Sequence, residues 1–101
     1  MKVLATQVSK LMPLVGRSVT VNGEKIAIYQ ISDGRIFALE DYCPLTGAPI
    51  LEGLVAGEYV FDPMRDYKIS LLDGKIQEPD EGQLKTYPLT VEGNNIYLEI
   101  A

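Results

Sequence analysis

One cysteine and no histidine set the chemical limits of this chain of 101 residues. Cys43 lies in "CPLTGAP" (43–49), a proline- and glycine-bearing loop of the kind that folds backbone around a metal ion. A second such loop, "DPMRDY" (62–67), sets a carboxylate, Asp62, three residues before a guanidinium, Arg65. The missing imidazole excludes a histidine general base, a Ser-His-Asp triad, a haem histidine and any zinc site that needs histidine. A single thiol excludes an internal disulfide and a four-cysteine cluster within the chain. Two readings of Cys43 stay open: a small buried hydrophobe, or a thiolate stabilised by Arg65.

The elements that carry these loops are read from turn signals and alternation. "VTVNGEKIAIY" places Asn22-Gly23 between two alternating apolar runs, a strong hairpin signal. Asp33-Gly34, Asp73-Gly74 and Gly93-Asn94 repeat the arrangement. Tyr87, Leu89 and Val91 alternate onto one face, as do Ile96, Leu98 and Ile100. Helical character is confined to "VSKLMPLVG" (8–16), where Ser9 is a candidate cap and Pro13 limits the length. The expectation is a single all-β domain over 1–101: an antiparallel β-sandwich of about nine strands in stacked hairpins, with at most one short helix. Loops 41–53 and 62–67 interrupt the hairpins and are the candidate functional segments.

A net charge of −5 and a pI near 4.6 provide no basic surplus for nucleic acid or for an anionic membrane surface. No apolar run approaches the roughly 20 residues that cross a bilayer. "MKVLATQVSK" lacks the apolar stretch of a secretory signal, so a cytoplasmic location is expected. "EPDEG" (78–82) gathers Glu78, Asp80 and Glu81, either as an acidic docking edge or as a solvated loop.

The two loops and their surroundings resemble a Rieske [2Fe–2S] domain, whose Cys-x-His and Cys-x-x-His loops give two thiolates to one iron and two imidazoles to the other. Cys43 and Leu45 stand at the first pair of positions, Asp62 and Arg65 at the second. The stretches "ALEDYCP", "GAPILEG", "GEYVFDP" and "YPLTVEGNNIYLEI" carry the likeness over most of the chain. Within that superfamily, "VAGEYVF", "DYKISL" and "DGKIQEPDEG" are similar to the small subunit of bacterial assimilatory NAD(P)H-dependent nitrite reductase.

That resemblance implies a partner: a large subunit carrying flavin, an iron–sulfur cluster and sirohaem, which reduces nitrite to ammonium. It implies an accessory role and a chain that is inert alone. With three of the four ligand types replaced, no [2Fe–2S] cluster is expected in this chain. A salt bridge between Asp62 and Arg65, with Leu45 as an apolar plug, would then join the loops, and Arg65→Ala would destabilise the fold. Tyr42 and Tyr67 flank the loops and are candidate interface residues. The other readings are a Rieske-type electron-carrying ferredoxin or oxygenase component, and a free-standing interaction module of the same descent.

Overall fold

Asn22 and Gly23 both adopt positive φ, 50° and 80°, as a tight two-residue hairpin requires. They join β2 (Arg17–Val21) to β3 (Glu24–Gln30), with Val21 opposite Glu24. β4 (Ile36–Glu40) completes this sheet in the order β2-β3-β4. The computed structural model describes residues 1–100, and the strands outside this central sheet form two more antiparallel sheets of three. One runs β5 (Leu54–Ala56), β6 (Tyr59–Phe61), β7 (Lys68–Ser70). The other sets β9 (Asn95–Glu99) between β1 (Lys2–Gln7) and β8 (Leu89–Glu92). This is the all-β architecture that the turn spacing implies.

The central sheet is covered on both faces, which explains the unbroken apolar run in β3. Ile26, Ala27, Ile28 and Tyr29 are all fully buried. Ala27, Tyr29 and Leu39 face one core with Val60, Ile69 and both candidate loops. Ile26, Ile28 and Ala38 face a second core with Tyr87, Leu98 and Ile100. Each isoleucine or leucine so enclosed contributes about 2 kcal/mol through removal of its surface from water. Alternation in the last hairpin holds for Ile96, Leu98 and Ile100, whereas Val91 near the hairpin tip stays exposed.

The helical reading of residues 8–16 contracts to one 3₁₀ turn, Val8–Lys10, and Ser9 is not its cap. Asn94 occupies Ser9 instead: the Ser9 N–H donates to Asn94 Oδ1 at 2.9 Å. Beyond Leu11 the chain makes a turn with Pro13 second and Leu14 third, closed by Val15 N–H to the Met12 carbonyl at 3.1 Å. Leu14 has φ 68°, a left-handed conformation that costs a residue with a Cβ about 1 kcal/mol. Its N–H donates to the Gln30 carbonyl at 2.8 Å, which pins this strap to the end of β3.

Candidate functional site: two braced loops

The first loop leaves β4 and returns to β5 around a carboxylate. Asp41 Oδ1 accepts the N–H groups of Ile50 (2.8 Å) and Leu51 (2.9 Å), so the two ends of the loop meet at one oxygen. Within it, Cys43 N–H donates to the Ala48 carbonyl at 2.9 Å. The Cys43 carbonyl accepts from Gly47 at 2.8 Å and Thr46 at 3.2 Å. Gly47, at φ 71°, supplies the left-handed residue that this turn needs. Cys43 itself is fully buried in the core, which selects the packed reading of this thiol over an exposed one.

From below, the Tyr29 hydroxyl donates to the Ile50 carbonyl at 3.0 Å. Burial, and then the charge of Asp41, push the Tyr29 phenol well above its ordinary value, so it remains a donor across the physiological range. From the side, the strap crosses so closely that a Cβ on Gly16 would lie 2.5 Å from the Leu51 carbonyl oxygen and 2.8 Å from the Tyr29 ring. Only glycine fits this crossing without movement.

The second loop is organised by Asp62, almost wholly buried at 1% exposure. Its Oδ2 accepts the N–H groups of Met64 and Arg65, each at 3.0 Å, and its Oδ1 accepts Tyr67 N–H at 2.6 Å. Backbone bonds from Asp62 N–H to the Tyr67 carbonyl and from Asp66 N–H to the Asp62 carbonyl close the turn. Three N–H donors compensate the buried charge, as burial demands.

The expected salt bridge is therefore not formed. Both Asp62 oxygens are engaged by backbone, and among the described residues the Arg65 guanidinium has no ion-pair partner and is exposed. Leu45 is no plug either; it is 42% exposed at the tip of the first loop. Both loops instead contribute to one core, which contains Cys43 and Ile50 and against which Leu51 and Tyr67 pack. They also border a groove of about 440 Å³ lined by Asp41, Ala48, Pro49, Leu51, Glu52, Pro63 and Met64. Tyr42 is exposed beside the first loop, and Tyr67 is half-buried beneath the second. Reading of the sequence passed over Asp41, although an aspartate that opens a loop is an ordinary sign of side-chain to backbone bonding.

The family described as a Rieske-like [2Fe–2S] domain matches residues 3–99. This chain belongs to the Rieske-like family. It is similar to the ferredoxin component of the naphthalene 1,2-dioxygenase system of Pseudomonas aeruginosa, at 26% identity over 84 residues that cover 82% of this chain and 80% of that one. It is similar in structure to a protein assigned as an NADPH nitrite reductase small subunit. That match has 31% identity, a TM-score of 0.90 and 99% of each chain covered. A protein assigned as the NADH-dependent nitrite reductase small subunit of Mycobacterium tuberculosis has the same fold, with TM-score 0.91, 23% identity and coverage of 100% of this chain and 96% of that one.

These relationships correct the expectation that the chain carries no [2Fe–2S] cluster: its family is one of [2Fe–2S] domains, and its relatives include ferredoxin components of naphthalene 1,2-dioxygenase systems. The donors at the four positions nevertheless do not fit two thiolates and two imidazoles. They are one buried thiol, an exposed leucine, a carboxylate engaged by three N–H groups and a guanidinium that only donates. Among the described residues no three Cys, Asp or Glu side chains gather to hold a metal ion. What this Rieske-like domain presents at its loops is hydrogen-bonded backbone under a partly apolar surface.

Proposed function

We propose that this Rieske-like domain is the small subunit of an NAD(P)H-dependent nitrite reductase in nitrate assimilation, binding and supporting the large catalytic subunit in the cytoplasm. The observation that carries the reading is the match along 99% of both chains, at 31% identity, to a protein assigned to that role. The stretch around β6, β7 and "DGKIQEPDEG" supports it. In this role the braced loops and the groove between them supply a shaped, rigid surface, and nitrite is reduced to ammonium on the large subunit's sirohaem. The test is reconstitution: the purified large subunit is assayed for nitrite-dependent NAD(P)H oxidation with and without this chain. A rate and a thermal midpoint that are indifferent to its addition, with no complex on gel filtration, would sink the reading.

A second reading has its own support. Relatives at 26% and 29% identity are ferredoxin components of dioxygenase systems, which favours an electron carrier that serves an oxygenase. Stoichiometric iron and visible absorption in the purified chain decide for that alternative.

A further inference from the structure

The strap before β2 presents more exposed hydrocarbon than its surroundings require. Met12 is 65% exposed and Val15 51%, and Leu14, at 43%, occupies the third position of a proline turn. Glycine or asparagine adopts the φ of 68° found there without strain. Of the three non-glycine residues at positive φ among the described residues, the other two are Asn22 and Asp66, types that tolerate it. Leu14 has neither that tolerance nor full burial to offset its conformation, and an unoffset strain of this kind points to a role for the residue.

The strap borders a groove of about 290 Å³ that it shares with Leu51 and Glu52. Leu51 and Glu52 also line the groove between the two loops, so the two depressions adjoin. Leu54, at 72%, is the most exposed large apolar side chain among the described residues and lies two positions after Glu52. Glu52 is exposed and, among the described residues, has neither an ion pair nor a side-chain hydrogen bond. A free carboxylate between two apolar depressions, on a chain of net charge −5, is complementary to an apolar side chain flanked by lysine or arginine.

We infer that this strap-side face, Met12 to Val15 with Leu51 to Leu54, is the docking surface for the large subunit, which inserts an apolar side chain beside Leu14 and sets a basic residue against Glu52. The inference rests on the nitrite reductase reading and extends it to a surface.

Isothermal titration of the purified large subunit with this chain tests it, using Leu14→Gly and Glu52→Lys, with Leu4→Ser on β1 as a control exposed on another sheet. Leu14→Gly is expected to melt no lower than wild type and to bind about tenfold or more weakly. Glu52→Lys weakens binding by a similar factor at low salt, with a deficit that shrinks as salt rises. Should the glycine variant misfold, the exposed charge reversal decides alone. If both variants bind as wild type does, this surface is overturned while the subunit assignment stands. If wild type itself does not bind, the assignment and this occupant both fall. Sedimentation that shows wild-type self-association, abolished in both variants, overturns the large subunit as occupant in favour of a second copy.

Discussion

The two loops solve the same problem by different means. The first gathers support from distant parts of the chain: Tyr29 on β3 from below, the strap at Gly16 from the side, and Asp41 across its own base. The second is held almost entirely by one residue of its own, since Asp62 bonds to N–H groups two, three and five positions ahead. A loop with several distributed braces should lose its shape gradually under mutation. A loop gathered on a single carboxylate should lose it at once.

Asp62→Ala is therefore the most damaging single change expected. It leaves three loop N–H groups without their acceptor in a largely enclosed site, and about 3 kcal/mol of stability should go with them. Urea denaturation measures this directly, and hydrogen exchange should show the loss of protection centred on Met64–Tyr67. Asp62→Asn, which keeps one acceptor oxygen, should recover part of the loss. An alanine variant as stable as wild type would dissolve the distinction between the loops.

Gly16→Ala attacks the first loop from outside. The new methyl meets the Leu51 carbonyl oxygen at 2.5 Å, and that oxygen belongs to backbone already held by Asp41. Overpacking of this kind costs about 2 kcal/mol. A lowered melting temperature, with loop two's exchange protection intact, would confirm that the two loops fail independently.

Tyr29→Phe removes one brace from the first loop and leaves the others. The lost bond to the Ile50 carbonyl should lower stability by about 1 kcal/mol at neutral pH. The alkaline limb carries more information. An unfolded chain ionises its tyrosines near pH 10, while burial and the charge of Asp41 hold the folded Tyr29 phenol higher. Its contribution is thus fully present below about pH 10 and declines as pH rises further, because only the unfolded state releases the proton. The phenylalanine variant should show a shallower fall above that pH. Tyr87, raised by burial and by its bond to Glu24, supplies the slope that remains.

These braces also mark where the sequence was readable. Turn dipeptides and alternation carry backbone information within a few residues, so the Asn22-Gly23 and Gly93-Asn94 hairpins and the all-β class were legible. The buried run of β3 was legible as a strand, but not as a strand covered on both faces, because that depends on which sheets pack over it. Within the site, Cys43, Leu45, Asp62 and Arg65 were picked out by the resemblance, which says nothing of what each side chain bonds to. Whether Asp62 faces a guanidinium or its own backbone is a matter of loop path, and three amide hydrogens leave no mark in a residue pattern. Leu14 was hidden for the same reason: a leucine after a proline gives no sign of positive φ.

The smallest effect expected is the one that the charge pattern alone makes largest. Arg65 stands three residues after Asp62, and a pairing of their charges would make Arg65→Ala destabilising. The geometry assigns Arg65 a different part: its N–H is one of the three that Asp62 accepts, and that group is retained in alanine. Its side chain is exposed with no acidic partner among the described residues, and its removal should change stability by less than about 0.5 kcal/mol. Arg65→Ala and Asp62→Ala, measured side by side in urea, separate the two accounts of this loop. Comparable losses would restore the side-chain pair. A large loss for the aspartate and none for the arginine would place the loop's stability in the backbone amides that Asp62 accepts.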